Sequence, residues 1–337
     1  MDPRLQAIAS AVASDAHSGA SEMLTKAAGS ILALPEDVYA LPSSEWTAFG
    51  IELHRGKPSI ATLFNLANVI MLEAEAGPEG VRGIRRAVED LMERERRSVT
   101  EMARTAAEAI DADWIITTSY SSTVSAILGS IASRRSLRVT VAESFPGGEG
   151  RQFAHRLWDM GIESEIIPDS NVFARAARAD CALTGGDSLT PQGLVNKVGT
   201  RALVEAARCH DRPAYGACGQ SKFSPVALTD MVVAESTASD GPSERSQVFE
   251  STPLERFTRI ITEDGIFTPR RSRRAAARTQ IGIGMVIPGP MRSRPAEGRR
   301  GFHFSHPRSS PPGRKRQIDD MNVHINTSIR KSVIYGP

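Results

Sequence analysis

The sequence predicts an α/β protein with an N-terminal helical domain over residues 1–110, a Rossmann-like parallel-sheet domain over 111–269, and a disordered basic C-terminal tail over 270–337. Three observations carry this. Up to Ile110 apolar residues recur at spacings of three and four. From Trp114 short β-branched apolar runs alternate with helical segments, as βαβ units and a parallel sheet require. After Pro269 the periodicity ends, and Arg, Pro, Ser and Gly dominate.

In the helical part, Leu5, Ile8 and Val12 share one face. Pro58 followed by an apolar run predicts a helix from near Ser59, with Ile60, Leu63, Phe64, Ala67 and Ile70 on one stripe. Gly77-Pro78 breaks it, and Val81, Ile84, Val88 and Leu91 stripe a second long helix. The alternating part reads as strand 114–118, helix 124–134, strand 137–143, helix 151–160, strand 164–167, helix 172–178, strand 181–184, helix 200–208 and strand 213–217. Residues 248–268 read as a last strand and helix, with an amphipathic stretch over 253–261. In such sheets ligands bind at the carboxyl ends of the strands, so the loops to watch begin at Thr117, Glu143, Pro168, Gly185 and Cys218.

Composition excludes several classes. Three cysteines with no CxxC pair argue against a disulfide framework and a cysteine-rich zinc site, and fit a reducing, cytoplasmic setting. They read as buried small residues, with Cys218 the thiol best placed to react. No signal peptide and no bilayer-spanning apolar run are expected, hence no membrane partner. The net charge of +2 hides an asymmetry: residues 270–316 hold thirteen Lys and Arg against one acid, Glu297, while residues 1–269 hold 26 bases against 36 acids. An acidic body is a poor binder of nucleic acid, so no specific nucleic-acid partner is expected. The tail reads as a solvated extension that cannot bury enough apolar surface to order itself.

The segment richest in chemistry is Thr184-Gly185-Gly186-Asp187-Ser188-Leu189, followed by Gly193-Leu194-Val195-Asn196-Lys197-Val198-Gly199-Thr200. Glycines at a strand end let backbone approach a ligand. Asp187 there can act as a general acid or bind sugar hydroxyls. Asn196 and Lys197, just ahead of a helix, can bind phosphate with help from free N–H groups at the helix start. Arg55-Gly56 is a second phosphate candidate, or an exposed charged loop. Glu143 and Arg151 either bind sugar hydroxyls and phosphate or pair with neighbours.

This segment resembles the Gly-Ala-Asp…Gly…Asn-Lys-Ile-Gly-Thr signature of the family that unites the α, β and δ subunits of translation initiation factor 2B with the methylthioribose-1-phosphate and ribose-1,5-bisphosphate isomerases; Gly186 replaces the usual Ala. Four further matches follow the same order as the family's: Ile115 to Ser122, Val141 to Arg151, Ser221-Lys222-Phe223, and the pair Thr252-Pro253-Leu254 and Thr262-Glu263-Asp264-Gly265. Together they cover about residues 50–269. For an isomerase member the resemblance implies Asp187 as general acid, a Cys partner on the first strand-end loop, and an Arg-Gly pair on phosphate. Ser119 stands where the Cys belongs, and a hydroxyl does not ionise as a thiol does. It would need an adjacent base, for which His54 and His155 are the distant candidates.

Two readings result. One is a binding protein like the initiation factor's regulatory subunits, with a translation factor as a further partner. The other is an aldose–ketose isomerase on a pentose 1-phosphate. Both imply a phosphorylated sugar or nucleotide ligand, no cofactor, and a homodimer or higher even-numbered oligomer assembled through the sheet domain. Ser119, Glu143, Asp187, Asn196 and Lys197 are expected to converge on one cleft facing the helical half.

Overall fold

The computed structural model of the chain describes residues 1–15, 18–58, 60–225, 233–236 and 244–278. Asp2 caps α1 (Pro3–Ser14), accepting from the Arg4 N–H at 2.8 Å, and Pro3 begins a turn whose first amide hydrogen would be unpaired anyway. Leu5, Ile8 and Val12 are buried, as their spacing predicts. α2 (Ala20–Leu32), α3 (Ser43–Gly56) and α4 (Ala61–Glu75) follow. Leu63, Phe64, Leu66, Ala67, Ile70 and Met71 are all inaccessible, so α4 is buried almost all round and forms the axis of the helical half.

Gly77, with φ of 82°, turns the chain into α5 (Pro78–Ala109), where Pro78 takes the first position. This helix has 32 residues, a span of about 48 Å at about 1.5 Å per residue. Its first half, Val81 to Leu91, packs with α1 to α4. Its second half, Met102 to Ala107, packs with Ile115, Val139 and Leu183 of the sheet.

The alternating part comprises β1 (Trp114–Thr118), α6 (Ser122–Ala132), β2 (Arg138–Ala142), α7 (Glu149–Asp159), β3 (Glu163–Ile167), α8 (Val172–Ala176), β4 (Cys181–Thr184), β5 (Ser188–Leu189), β6 (Leu194–Lys197), α9 (Thr200–Cys209) and β7 (Ala214–Ala217). Each strand and helix read from the alternation lies within two residues of its expected ends. Next come β8 (Val233–Ser236), β9 (Glu244–Gln247), β10 (Phe249–Thr252), β11 (Arg259–Thr262), β12 (Gly265–Phe267) and α10 (Pro269–Ala277). Among the described residues the main sheet has seven strands in the order β12-β11-β7-β4-β1-β2-β3, parallel except for β12. The chain winds outward from β1 to β3, then returns to lay β4 on the other side of β1. The switch point of the sheet therefore lies between the carboxyl ends of β1 and β4, the crevice where such sheets bind ligands. Ser119 and Asp187 follow those two strands.

Three expectations change. Residues 253–261 are not an amphipathic helix: a short 3-10 turn, Leu254–Arg256, leads into β11, which pairs with β7. Leu254, Phe257 and Ile260 fit a helical spacing, but the β-branched run ending at Thr262 meets a Glu-Asp-Gly turn with Gly265 at φ of 113°, so hairpin chemistry prevails. The motif from Asp187 to Lys197 is not a plain loop either. β5, β6 and β10 make a small antiparallel sheet that carries Asn196 and Lys197 on a strand. Finally, the tail does not begin at 270. Thr268 caps α10, accepting from the Arg271 N–H at 3.3 Å, and the helix buries Ser272 and Ala276 against the body. The expectation of disorder over 279–337 lies outside the described residues. Among the described residues no helix is long and apolar enough to cross a membrane.

If α10 belongs to the body, Ala276→Arg forces a charge into the core beside Leu254 and Phe257. We expect a loss of about 2–4 kcal/mol, read as a fall of several degrees in melting temperature. An unchanged melt would return α10 to the tail.

Candidate functional site

The carboxyl edge of the sheet begins its site with strained backbone. Ser119, just past β1, has φ of 64°, and Ser144, two residues past β2, has φ of 66°. Such conformations cost about 1–3 kcal/mol each in side-chain-bearing residues and persist only where neighbours hold them. Here Ser144 does the holding. Its hydroxyl accepts from the Ser119 N–H at 2.7 Å, lies 2.9 Å from the Thr118 hydroxyl and donates to the Ala142 carbonyl at 3.0 Å. Asp169, at the end of β3, fixes the second loop by accepting from the N–H groups of Ser144 and Phe145.

Ser119 does have an adjacent base, and it is not a histidine. Its hydroxyl donates to Glu149 Oε1 at 3.0 Å. Lys197 Nζ lies 2.9 Å from the same oxygen and 3.1 Å from Oε2. Glu149 therefore bridges Ser119 and Lys197 and grips the ammonium with both oxygens. Gly147 makes room for the pair: a Cβ there would lie 2.4 Å from Glu149 Oε2 and 3.0 Å from Lys197 Nζ. The side chain of Lys197 is 8% exposed, so its charge is committed to Glu149 rather than to water. Both oxygens of Glu149 therefore face the ammonium, and one of them also takes the Ser119 hydroxyl.

Asp187 follows β4 behind Gly185 and Gly186. A Cβ on Gly186 would come within 2.9 Å of the Leu194 side chain, so glycine lets the two pack closely. The Ala20 N–H donates to the Asp187 carboxylate, so the acid caps α2 from across the fold, where Gly19 offers no side-chain cap. The Ala61 N–H, at the start of α4, donates to the neighbouring Ser188 hydroxyl at 3.0 Å. Two helix N-termini thus face the Asp187-Ser188 step. Burial pushes the Asp187 carboxyl up from 3.8; Lys222 and the Ala20 N–H pull it back, Glu149 pushes further up, and Lys197 pulls down.

Of the eight residues selected from the sequence, the structure brings together Ser119 and Lys197 through Glu149, with Asp187 in electrostatic reach of both Glu149 and Lys197. Asn196 is adjacent on β6, but its amide donates to the Thr200 hydroxyl at 2.9 Å. Glu143 pairs with Arg151 at 2.7 Å, the neighbour-pairing alternative. Arg55 and Gly56 end α3 rather than forming a loop. Arg55 pairs with Glu52 on an exposed face, and a Cβ on Gly56 would touch Ala13 at 3.1 Å. The start of α9 is not wholly free, because Glu250 of β10 accepts from the Arg201 N–H at 2.8 Å. Cys218 is buried, which pushes its thiol up to about 12 and removes it as a reactive group.

Sequence reasoning missed Glu149, Ser144 and Lys222. Glu149 lies ahead of the helix expected over 151–160, whereas α7 begins at Glu149, and only the approach of β6 to α7 gives it a partner. A cavity of about 560 Å³ lies farther along the same edge, past β7 and β11, lined by Asn65, Arg94, Glu95, Ser221, Glu263 and Asp264 among others. Its lining does not include Ser119, Asp187 or Lys197.

The raised Asp187 carboxyl has a sign that can be checked. The folded chain holds this proton more tightly than the unfolded chain, so stability falls as pH rises from about 3.8, the unfolded value, through the folded value. Asp187→Asn keeps an acceptor for Ala20 and removes the titration. It should gain on the wild type as pH rises toward neutrality and lose that gain near pH 4 and below, in urea melts across pH. Equal pH profiles would mean that Asp187 is ionised at no cost.

The description "Initiation factor 2 subunit family" belongs to a family model that matches residues 44–269. A translation initiation factor eIF-2B subunit 2-like protein of Pyrococcus abyssi is 33% identical over 259 residues, covering 75% of this chain and 92% of the relative. A ribose 1,5-bisphosphate isomerase of Archaeoglobus fulgidus is 29% identical over 270 residues, covering 74% and 85%. The crystal structure of the translation initiation factor eIF-2B of Pyrococcus horikoshii superposes with a TM-score of 0.72 at 30% identity, covering 80% of this chain and 99% of that one. The chain belongs to the initiation factor 2 subunit family, whose members include both subunit-like proteins and sugar-phosphate isomerases.

Proposed function

We propose that the chain is a regulatory-subunit-like protein of the initiation factor 2B type that binds a phosphorylated sugar or nucleotide at the switch point of its sheet. One observation carries the choice over catalysis: the hydroxyl of Ser119, where the isomerases' thiol belongs, donates to a carboxylate already neutralised by Lys197. A hydroxyl so placed is neither ionised nor backed by a strong base. Retention of Asp187, Asn196 and Lys197 supports a ligand, since a bare scaffold has no use for a half-buried acid whose desolvation costs stability. Ligand phosphate would be met by Lys197 and Asn196, with Arg151 and Arg55 as outer candidates that must first leave Glu143 and Glu52, and a freed Glu143 would take sugar hydroxyls.

The second reading, an aldose–ketose isomerase on a pentose 1-phosphate, draws support from Asp187, whose burial favours the protonated form a general acid needs. One experiment separates the two. The purified chain is screened for thermal shift with pentose phosphates and nucleoside monophosphates, and each hit is followed by NMR for ketose formation. We expect a rise in melting temperature with at least one phosphorylated ligand and no turnover. Turnover that Asp187→Asn abolishes and Ser119→Cys raises would establish the isomerase instead. A screen without a hit would overturn both.

We also infer a homodimer or higher even-numbered assembly through the sheet domain. Trp158 and Met160 at the end of α7, and Tyr120 and Phe145 on the strand-end loops, are large apolar side chains left exposed on that domain. Sedimentation should give an even multiple of the 36.4 kDa chain at micromolar concentration. A stable monomer would contradict it.

A further inference from the structure

Each cationic side chain that the sequence offers to phosphate, and one N–H at the start of α9, is met by a carboxylate of this same chain. Arg55 faces Glu52, Arg151 faces Glu143, Lys197 faces Glu149, and the Arg201 N–H faces Glu250. Three of these pairs involve exposed groups that exchange partners with water at little cost. Lys197 differs. Its ammonium is enclosed, and stripping a buried charge of its partner costs several kcal/mol. A phosphoryl group that takes two of its three N–H donors must take the place of Glu149.

Glu149 is the member able to move. Its side chain is 26% exposed against 8% for Lys197, and it stands at the first position of α7 behind Gly147 and Gly148. Rotation about its own side-chain bonds releases Lys197 without moving the strand. The released carboxylate keeps Ser119 on one oxygen, and its other oxygen is left to water or to a hydroxyl of the ligand. We propose that Glu149 is the specificity-determining residue of the pocket: a phosphoryl group replaces its carboxylate on Lys197, and a hydroxyl of the same ligand donates to the displaced carboxylate. This rests on the reading of the pocket as a site for a phosphorylated ligand. It adds that phosphate alone is a poor ligand, because it would take Lys197 from Glu149 and return nothing, and would set two anions side by side. A sugar phosphate returns a hydroxyl, so the pocket selects polyhydroxylated phosphate esters over simple ones.

The test uses the full chain and two phosphate monoesters, methyl phosphate and ribose 1-phosphate, in isothermal titration. In the wild type ribose 1-phosphate should bind at least about tenfold more tightly, a difference of about 1.4 kcal/mol. Glu149→Gln keeps an oxygen for Ser119 and Lys197 but removes the competing charge. It should tighten methyl phosphate by about tenfold and shrink the preference to within about threefold. Glu149→Asp keeps the charge and should keep the preference, and circular dichroism melts establish that each variant is folded. Lys197→Met should abolish binding of both esters in every background. Equal weakening of both esters in Glu149→Gln, or no change in their ratio, would overturn the role of Glu149 while leaving the pocket intact, provided Lys197→Met still abolishes binding. Absence of binding by either ester to wild type and Glu149→Gln alike would instead remove the phosphate reading, and this inference with it.

Discussion

α5 belongs to two hydrophobic cores, and that sharing sets where everything else can be. Val81, Ile84, Val88 and Leu91 are buried among the helices, while Met102, Ala103, Ala106 and Ala107 are buried beneath the sheet. A continuous helix cannot bend sharply without a proline or an inserted group, so the two halves are held at a fixed seam. Between the two apolar stretches the buried face of the helix turns polar, with Glu95 and Ser98 inside. Glu95 is 7% exposed, its carboxylate taking the hydroxyls of Ser21 and Ser221. Asn65 adds bonds to the carbonyls of Ser221 and Phe223, at 2.7 and 2.9 Å. The seam is thus tied by hydrogen bonds rather than by packing alone, and the ties fall on the loops at the carboxyl edge.

The same seam explains the electrostatics of the site. The helical half reaches Asp187 through the Ala20 N–H, and the sheet domain encloses Lys197, so each finds a donor or counter-charge inside the protein. Asp187 finds the Ala20 N–H and the field of Lys222; Lys197 finds Glu149. Neither arrangement is a tight structural ion pair of the two functional groups with each other. Their potential is spent on different partners, which leaves the crevice near neutral and gives a ligand something to exchange with on both sides.

Much of the fold was legible because parallel sheets advertise themselves. β1, β2 and β4 are inaccessible along nearly their whole length, and their runs of Ile, Val, Ala and Thr cannot belong to a surface element. Asp187 and Ser119 were legible because each ends such a run. What escaped detection depends on contacts between segments far apart in the chain. β5 and β6 are too short to show an alternation, and they exist because β10, some fifty residues on, pairs with β6. Residues 253–261 satisfied a helical spacing and a strand at once, and the open edge of β7 decided between them. α10 has a mean composition dominated by arginine, yet two small residues four apart, Ser272 and Ala276, are enough to seat it. Glu149 gave no local sign at all, because its meaning comes from Lys197, 48 residues away.

The strained serines bear on what the pocket is for. Ser119 and Ser144 both hold left-handed backbone, at a combined cost on the order of 2–6 kcal/mol, in a site where Gly or Asn would be cheaper. A loop kept only to join strand to helix would relax this. Ser144 instead spends its hydroxyl holding the Ser119 amide, and the geometry so fixed aims the Ser119 hydroxyl at Glu149. The effort goes into orienting one polar group toward one carboxylate, not into creating a nucleophile, since nothing there withdraws the hydroxyl proton strongly. Orientation without activation is the economy of a binding site. In such a site the serine can pass its hydrogen bond to a ligand, and the acid that accepts it decides which ligand that is.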